Sequence, residues 1–265
     1  MKIGYLGPIG SYSYEAASRY KKDVDNIVEY ATISNIFNAL EENEIEIGIL
    51  PFENAIYGSV VDTIDGVLEY RSLNINDEII IDINHMLMAK NKEAKIEKIY
   101  SHPQAIAQCR KYLDKHFPNV QVINVSSTSM GASLAATEEN SACICNIACK
   151  DLYNLEIISE NIQEIEKNQT RFIVVSKNKI IKENATKTSI IFETKNKPGA
   201  LYKILGLFSL TDINLTKIES RPTRTKLGDY MFFVDIEGSI ENENIKKVLE
   251  FVEEYCLDFR ILGSY

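Results

Sequence analysis

The sequence predicts an α/β protein in two parts: a large α/β domain, then a small C-terminal βαββαβ domain of ferredoxin-like order. Three observations predict it. Through the first two-thirds of the chain, short apolar runs alternate with segments whose apolar residues recur at helical spacing, the pattern of βαβ units around a largely parallel sheet. A polar stretch at residues 177–187 then interrupts that rhythm. Beyond it the order changes to strand, helix, two strands, helix and strand.

Residues 3–6 are an apolar strand, broken by Gly7-Pro8-Ile9-Gly10 before a helix over 11–20. A strand at 28–31 precedes Ile33, Ile36, Phe37 and Leu40, which repeat at helical spacing behind Thr32 as N-cap. Residues 45–52 return to strand, and Gly58-Ser59 opens a helix with Val60, Ile64, Val67 and Leu68 on its apolar face. Residues 79–88 and 96–101 are strands, and Pro103 suits the first turn of a helix carrying Ile106, Cys109 and Leu113. A strand at 120–125 leads through Ser126-Ser127-Thr128-Ser129 into a helix of small residues. Residues 142–145 are a strand, 146–153 a short helix and 171–176 the last strand of the large part. In the tail, strands are expected at 188–194, 213–219, 229–236 and 257–262, with a turn at 222–228. Its helices are expected at 198–208 and around Ile245, Val248, Leu249 and Val252.

Of the 265 residues, 45% are hydrophobic and 25% charged, the balance of a globular chain with a real core. The net charge of −9 points away from nucleic acid or an anionic membrane as main partner, since both select basic surfaces. A local basic pocket for a small anion is compatible with it. The opening MKIGYLGPIG lacks the apolar stretch of a signal peptide, and no apolar run approaches the roughly 20 residues of a membrane span. Five cysteines without disulfide-framework spacing fit a reducing compartment, so the expected location is the cytoplasm.

No G-x-G-x-x-G, Walker loop, H-E-x-x-H or G-x-S-x-G occurs, and His85, His102 and His116 are far apart in sequence. Cys143, Cys145 and Cys149 match no zinc spacing and suit small buried positions. Polar residues gather instead at strand ends: Gly10-Ser11-Tyr12-Ser13, Glu53-Asn54 with Gly58-Ser59, Ser101-His102-Pro103-Gln104, and Ser126 to Ser129. Three of the four lead into helix N-termini, where free N–H groups and the helix dipole favour an anion. Any one alone is an ordinary cap. Four at the same edge of a sheet favour an anion-binding cleft. Arg171 opens an apolar strand, where its guanidinium needs either a ligand carboxylate held bidentately or an internal ion pair.

Taken in order and spacing, five segments resemble the prephenate dehydratase family: Gly7-Pro8-x-Gly10-Ser11-Tyr12-Ser13, Pro51-x-Glu53-Asn54, Gly58-Ser59-Val60, Ser101-His102-Pro103-Gln104-Ala105 and Thr170-Arg171-Phe172. Pro198-Gly199-Ala200-Leu201 and Glu219-Ser220-Arg221-Pro222 resemble the ACT regulatory domain of the same enzymes. The resemblance covers essentially the whole chain. It implies a two-lobed, periplasmic-binding-protein-like (type II) catalytic domain at 1–183, with one lobe at 1–77 and 170–183 and the other at 78–169. An ACT domain follows at 187–265.

The resemblance further implies conversion of prephenate to phenylpyruvate, water and CO2 in phenylalanine biosynthesis, with no cofactor or metal. It implies a homodimer or homotetramer, inhibited by phenylalanine. Carried onto this chain, Thr170, Arg171, Phe172, Asn54 and Ser59 form the catalytic set, with Thr170 near the departing hydroxyl and Arg171 on the pyruvyl carboxylate. Ser11, Tyr12, His102, Gln104, Ser127 and Thr128 would bind substrate, His102 alternatively only positioning its loop. Gly199, Ala200, Leu201, Asn214, Leu215, Glu219, Ser220, Arg221 and Pro222 would form the effector site where two ACT domains pair. The family usually has Glu-Asn-Ser-x-Glu-Gly-Ser where this chain has Glu53-Asn54-Ala55-Ile56-Tyr57-Gly58-Ser59, so a hydroxyl and a carboxylate are missing at Ala55 and Tyr57. Two alternatives stay open: arogenate dehydratase, whose substrate carries an amino group in place of the keto group, and a non-catalytic two-lobed amino-acid sensor.

Overall fold

The computed structural model describes residues 1–20, 26–93, 95–180, 182–224 and 228–265. Three sheets organise them. The first has the order β2 (Ile27–Tyr30), β1 (Ile3–Leu6), β3 (Ile47–Asn54), β11 (Gln169–Ser176), β5 (Asn74–Asp82), with β4 (Gly58–Ser59) paired to β3. The second runs β10 (Glu156–Ser159), β6 (Met86–Ala89), β9 (Ser141–Cys145), β7 (Lys98–Ser101), β8 (Gln121–Asn124). There β7 is parallel to β8 and β9, while β6 is antiparallel to β9 and β10. Set aside β11 in the first sheet and β6 in the second, and both show the same order: second, first, third and fourth strand, with the set-aside strand inserted before the fourth. This is the type II periplasmic-binding-protein order that the resemblance implies, occurring twice.

By contact the chain divides into two compact units: Met1–Ile36, Ile49–Val60 and Ile79–Phe172 form one, and Phe37–Gly48, Val61–Glu78 and Ile173–Tyr265 the other. Within the first, the inner strands β6, β9 and β7 of the second sheet are buried on both faces, and strand alternation sorts their side chains. Ala142 and Ile144 of β9 face the cluster that includes Leu87, Ile99, Ile106 and Leu113. Cys143 and Cys145 face the cluster with Met88, Ala132, Ala135 and Cys149. Helix α6 (Thr128–Thr137) is made of small residues because it lies close to β7: a Cβ added at Gly131 would sit 2.9 Å from the Tyr100 carbonyl.

The second unit holds the C-terminal sheet, ordered β13 (Leu215–Pro222), β14 (Tyr230–Glu237), β12 (Lys187–Thr194), β15 (Cys256–Ser264), with neighbouring strands antiparallel throughout. Helices α8 (Ala200–Leu210) and α9 (Glu243–Tyr255) bury Ile204, Phe208, Val248, Leu249 and Val252 against Ile190, Phe192, Val234 and Ile236 of that sheet. The βαββαβ order matches the sequence expectation. Also in this unit is helix α3 (Val61–Glu69).

Several local expectations need correction. The run at 79–88 is not one strand: β5 ends at Asp82 and β6 begins at Met86. Between them the N–H groups of Ile83 and His85 turn to the Asn168 carbonyl and the Gln163 side chain. Gly58-Ser59 does not open a helix but closes a hairpin onto Glu53-Asn54, with Gly58 at φ 75°, so α3 starts only at Val61. The helix begun at Pro103 breaks at Cys109 into α4 (Pro103–Gln108) and α5 (Arg110–His116). Strand β10 was not expected, because four residues at a sheet edge carry little periodicity. Thr32 does cap helix α2 (Ile33–Glu41), its Oγ1 accepting the Asn35 N–H at 3.1 Å. In the expected turn at 222–228, residues 225–227 lie outside the described residues, as does residue 181 of the expected linker. Among the described residues no helix is long and apolar enough to cross a membrane.

Candidate active site

A cavity of about 360 Å³ in the first unit gathers all four polar loops. Tyr12 comes from the first, Asn54, Gly58 and Ser59 from the second, His102 and Gln104 from the third, and Ser126, Ser127 and Thr128 from the fourth; Thr170 of β11 joins them. Local capping sets two of these loops. His102 stands at the N-cap of α4, its Nδ1 accepting the Gln104 N–H at 3.3 Å, and Pro103 occupies the first turn, where a missing N–H costs nothing. Ser127 caps α6, its Oγ accepting the Met130 N–H at 2.9 Å. His102 therefore both shapes its loop and lines the cavity.

Sequence reasoning missed three polar lining residues, His85, Gln108 and Asn168, and they form the scaffold of the site. Asn54 is the fixed point. Its Oδ1 accepts the N–H groups of Ile56 at 3.0 Å and Tyr57 at 3.1 Å, so its amide nitrogen must face the other way. That Nδ2 donates to Thr170 Oγ1 at 2.8 Å and to Asn168 Oδ1 at 3.0 Å. Asn168 Nδ2 donates in turn to Gln108 Oε1 at 3.2 Å, which also lies 2.9 Å from His85 Nε2. Because Thr170 Oγ1 accepts from Asn54, its own O–H proton remains available as a donor. The network is directional throughout.

An amide oxygen can only accept, so the bond to Gln108 places the His85 proton on Nε2. Burial lowers the His85 pKa, partly offset by the Gln108 bond, and the ring is neutral at pH 7. Its Nδ1 lies 3.4 Å from the Tyr12 hydroxyl, which donates to the Asn84 carbonyl at 2.7 Å. Burial, reinforced by Glu15 and nearby thiols, holds the Tyr12 pKa well above the ordinary phenol value. None of the described residues lining the cavity is Asp, Glu, Lys or Arg. The cavity thus offers neutral hydrogen-bond donors, desolvated enough to act strongly on an anion.

Three expected site residues do not line it. Ser11 is spent on its own helix start, donating to the Leu6 carbonyl at 3.3 Å and accepting the Tyr14 N–H at 3.2 Å. Phe172 is fully buried in β11. Arg171 is buried too, its guanidinium carbon 5.0 Å from the centre of the Phe52 ring, a cation–π placement.

In the second unit a separate cavity of about 340 Å³ is lined by Gly199, Ala200 and Leu201 together with Thr194 to Lys197, Tyr202, Gly228, Tyr230 and Phe232. Gly199 has φ 77° and open space where a Cβ would stand, so its requirement is backbone conformation, not room. Asn214, Leu215, Glu219, Ser220, Arg221 and Pro222 lie on or beside the edge strand β13 and do not line this cavity.

Residues 3–180 match the family model for prephenate dehydratase, and residues 188–254 that for the ACT domain. The chain is 40% identical over its whole length to the bifunctional chorismate mutase/prephenate dehydratase of Aquifex aeolicus, covering 73% of that protein. It is 39% identical to the prephenate dehydratase of Lactococcus lactis subsp. cremoris, covering 97% of it. Among solved structures, the prephenate dehydratase of Arthrobacter aurescens in complex with L-Phe aligns at TM-score 0.90 and 29% identity, over 100% of this chain and 89% of that one. The prephenate dehydratase of Staphylococcus aureus aligns at TM-score 0.87 and 30% identity over 100% of both chains. GqqA, described as a quorum-quenching acylase, shares the fold at TM-score 0.88 and 24% identity, so fold similarity alone does not decide chemistry.

Proposed function

We propose that this chain, which belongs to the prephenate dehydratase family and carries a C-terminal ACT domain, converts prephenate to phenylpyruvate, water and CO2 in the cavity around Thr170. In this reaction the ring C–CO2⁻ bond breaks, its electron pair completes the aromatic ring, and the ring C–O bond breaks on the opposite carbon. The departing hydroxide takes up one proton to leave as water. Aromatisation drives the step, so the protein must hold the substrate and assist the leaving oxygen.

The observation that carries this reading is the Asn54–Thr170 bond, which leaves the Thr170 hydroxyl as a donor facing the cavity. A threonine hydroxyl is a weak acid, so it acts by hydrogen-bonding the developing negative oxygen, and the proton comes finally from solvent. Ser59, Gln104, Ser127 and Thr128 supply further neutral donors for the carboxylates. A ring carboxylate poorly solvated among such groups gains by losing its charge as CO2. The family pattern assigns Arg171 to the pyruvyl carboxylate. Its buried charge in the strand that carries Thr170 supports that role through its field, not through a place in the cavity wall.

The catalytic domain is taken as residues 1–183, with lobes at 1–77 plus 170–183 and at 78–169, and the ACT domain as 187–265. Phenylalanine is the proposed feedback inhibitor, supported by the ACT domain and by the L-Phe complex of the Arthrobacter relative. It would sit at the Gly199–Leu201 loop, with Asn214, Leu215 and residues 219–222 contributed where two ACT domains of a cytoplasmic homo-oligomer meet. The test is a prephenate assay with and without phenylalanine, on wild type and Thr170→Ala. Phenylpyruvate should form without added cofactor, phenylalanine should suppress it, and Thr170→Ala should lose at least about a hundredfold in kcat. Absence of wild-type turnover, or full turnover by the variant, overturns the proposal.

A further inference from the structure

We infer that helix α3 is the element through which the ACT sheet acts on the catalytic cavity, with Asp65 and Arg71 as positioning residues. The inference rests on the phenylalanine reading above.

In the order β13-β14-β12-β15, strands β13 and β15 are the two edges of the C-terminal sheet. Both edges bond to the same short stretch of chain. From β13, Arg221 grips Asp65 in a two-pronged ion pair, Nε to Oδ1 at 2.7 Å and Nη2 to Oδ2 at 3.0 Å. Arg224, just past the strand, adds a bond from its Nη2 to Asp65 Oδ2 at 2.5 Å. From β15, Asp258 takes both Nη groups of Arg71 at 2.8 Å each, and Arg260 donates to the Val67 carbonyl in the last turn of α3. Gly263 of β15 also lies against β5: an added Cβ would stand 1.7 Å from the Ile75 carbonyl oxygen. The helix is thus held in its middle by one edge and at its end by the other.

Each end of this linkage reaches a cavity. In the register of β13 with β14, Pro222 faces Tyr230 and Ser220 faces Phe232, so the β14 partners of the two residues flanking Arg221 line the cavity at Gly199–Leu201. At the other end, Ser59 and Val60 line the catalytic cavity, and the chain enters α3 at the next residue. A fork-on-carboxylate contact is directional, so it transmits rotation as well as position. The side chains of Arg221 and Asp65 are only 21% and 19% exposed, which limits screening by salt. A change in sheet twist moves its two edges relative to one another. A helix pinned to both must follow, and with it the catalytic wall.

The test uses the full chain and two readouts: phenylalanine binding by calorimetry, and the ratio of turnover without and with saturating phenylalanine. Asp65→Asn keeps the shape and removes the charge. It should bind phenylalanine, keep basal turnover within about twofold of wild type, and lose inhibition by about tenfold in that ratio. Asp65→Glu, which keeps the carboxylate, should recover part of the inhibition. If Asp65→Asn does not fold, Arg71→Gln on the exposed pair at the other edge should show the same separation of binding from inhibition. Inhibition as complete as wild type in a folded variant that binds phenylalanine overturns this inference alone. A wild type that neither binds nor responds to phenylalanine overturns the phenylalanine reading, and this inference with it.

Discussion

Asn54 donates to the Thr170 hydroxyl oxygen at 2.8 Å while the N–H groups of Ile56 and Tyr57 hold the other end of its amide. The amide cannot flip without losing both backbone bonds, so the direction of the Thr170 hydroxyl is set by a turn in a different segment of the chain. Asn54→Asp tests this. A carboxylate still accepts from Ile56 and Tyr57, but toward Thr170 it can only accept, which turns the hydroxyl proton away from the cavity. We expect kcat to fall about a hundredfold or more with little change in KM. Equal kcat in the variant and wild type would refute the role given to this bond.

His85 predicts a pH dependence of stability. Burial lowers its folded pKa, so on acidification the unfolded chain takes up the proton first, below about pH 6.5. Its contribution is full above that pH and is lost as pH falls through the lower folded value. His85→Gln retains a donor for the Gln108 oxygen but cannot titrate. Urea unfolding at pH 7.5 and 5.5 should show wild type losing more stability than the variant over that interval. Equal losses would show that His85 is not the source.

Gly263→Ala should destabilise the second unit. The added Cβ meets backbone, the Ile75 carbonyl, and not the yielding end of a side chain. Strand β15 must move, at a cost of about 1–3 kcal/mol or more for such overpacking. A urea midpoint unchanged from wild type would contradict the close approach.

Tyr57 predicts substrate choice. It lines the cavity, half exposed, where the family usually has a glutamate, and no described lining residue carries a carboxylate to meet an ammonium group. Prephenate should therefore be preferred over arogenate. Tyr57→Glu should raise the arogenate-to-prephenate ratio of kcat/KM about fivefold, the effect of roughly 1 kcal/mol between exposed charges about 4 Å apart. Competition assays with both substrates decide it.

Much of the architecture was legible in local pattern. Thr32, Pro103 and Ser127 marked helix starts because capping is a property of a few neighbouring residues. The four polar loops were visible because polar residues at strand ends break an apolar rhythm. His85, Gln108 and Asn168 carried no such mark. His85 lies in a gap between strands that the alternation Ile81-Asp82-Ile83-Asn84 disguises as one continuous strand, and Gln108 ends a helix whose periodicity carries straight through the break at Cys109.

What the sequence by itself determined was the set of elements, the change of order after the polar stretch, and the motif residues that place the chain in its family. Only the tertiary structure decided which strands became neighbours and which polar groups became partners. The return of β11 into the first sheet brings Thr170 to Asn54, 116 positions away, and Arg221 finds Asp65 across 156. The physical reason is range. Periodicity and capping act within a few residues, whereas a hydrogen bond or ion pair between distant segments depends on the packing that brings them together.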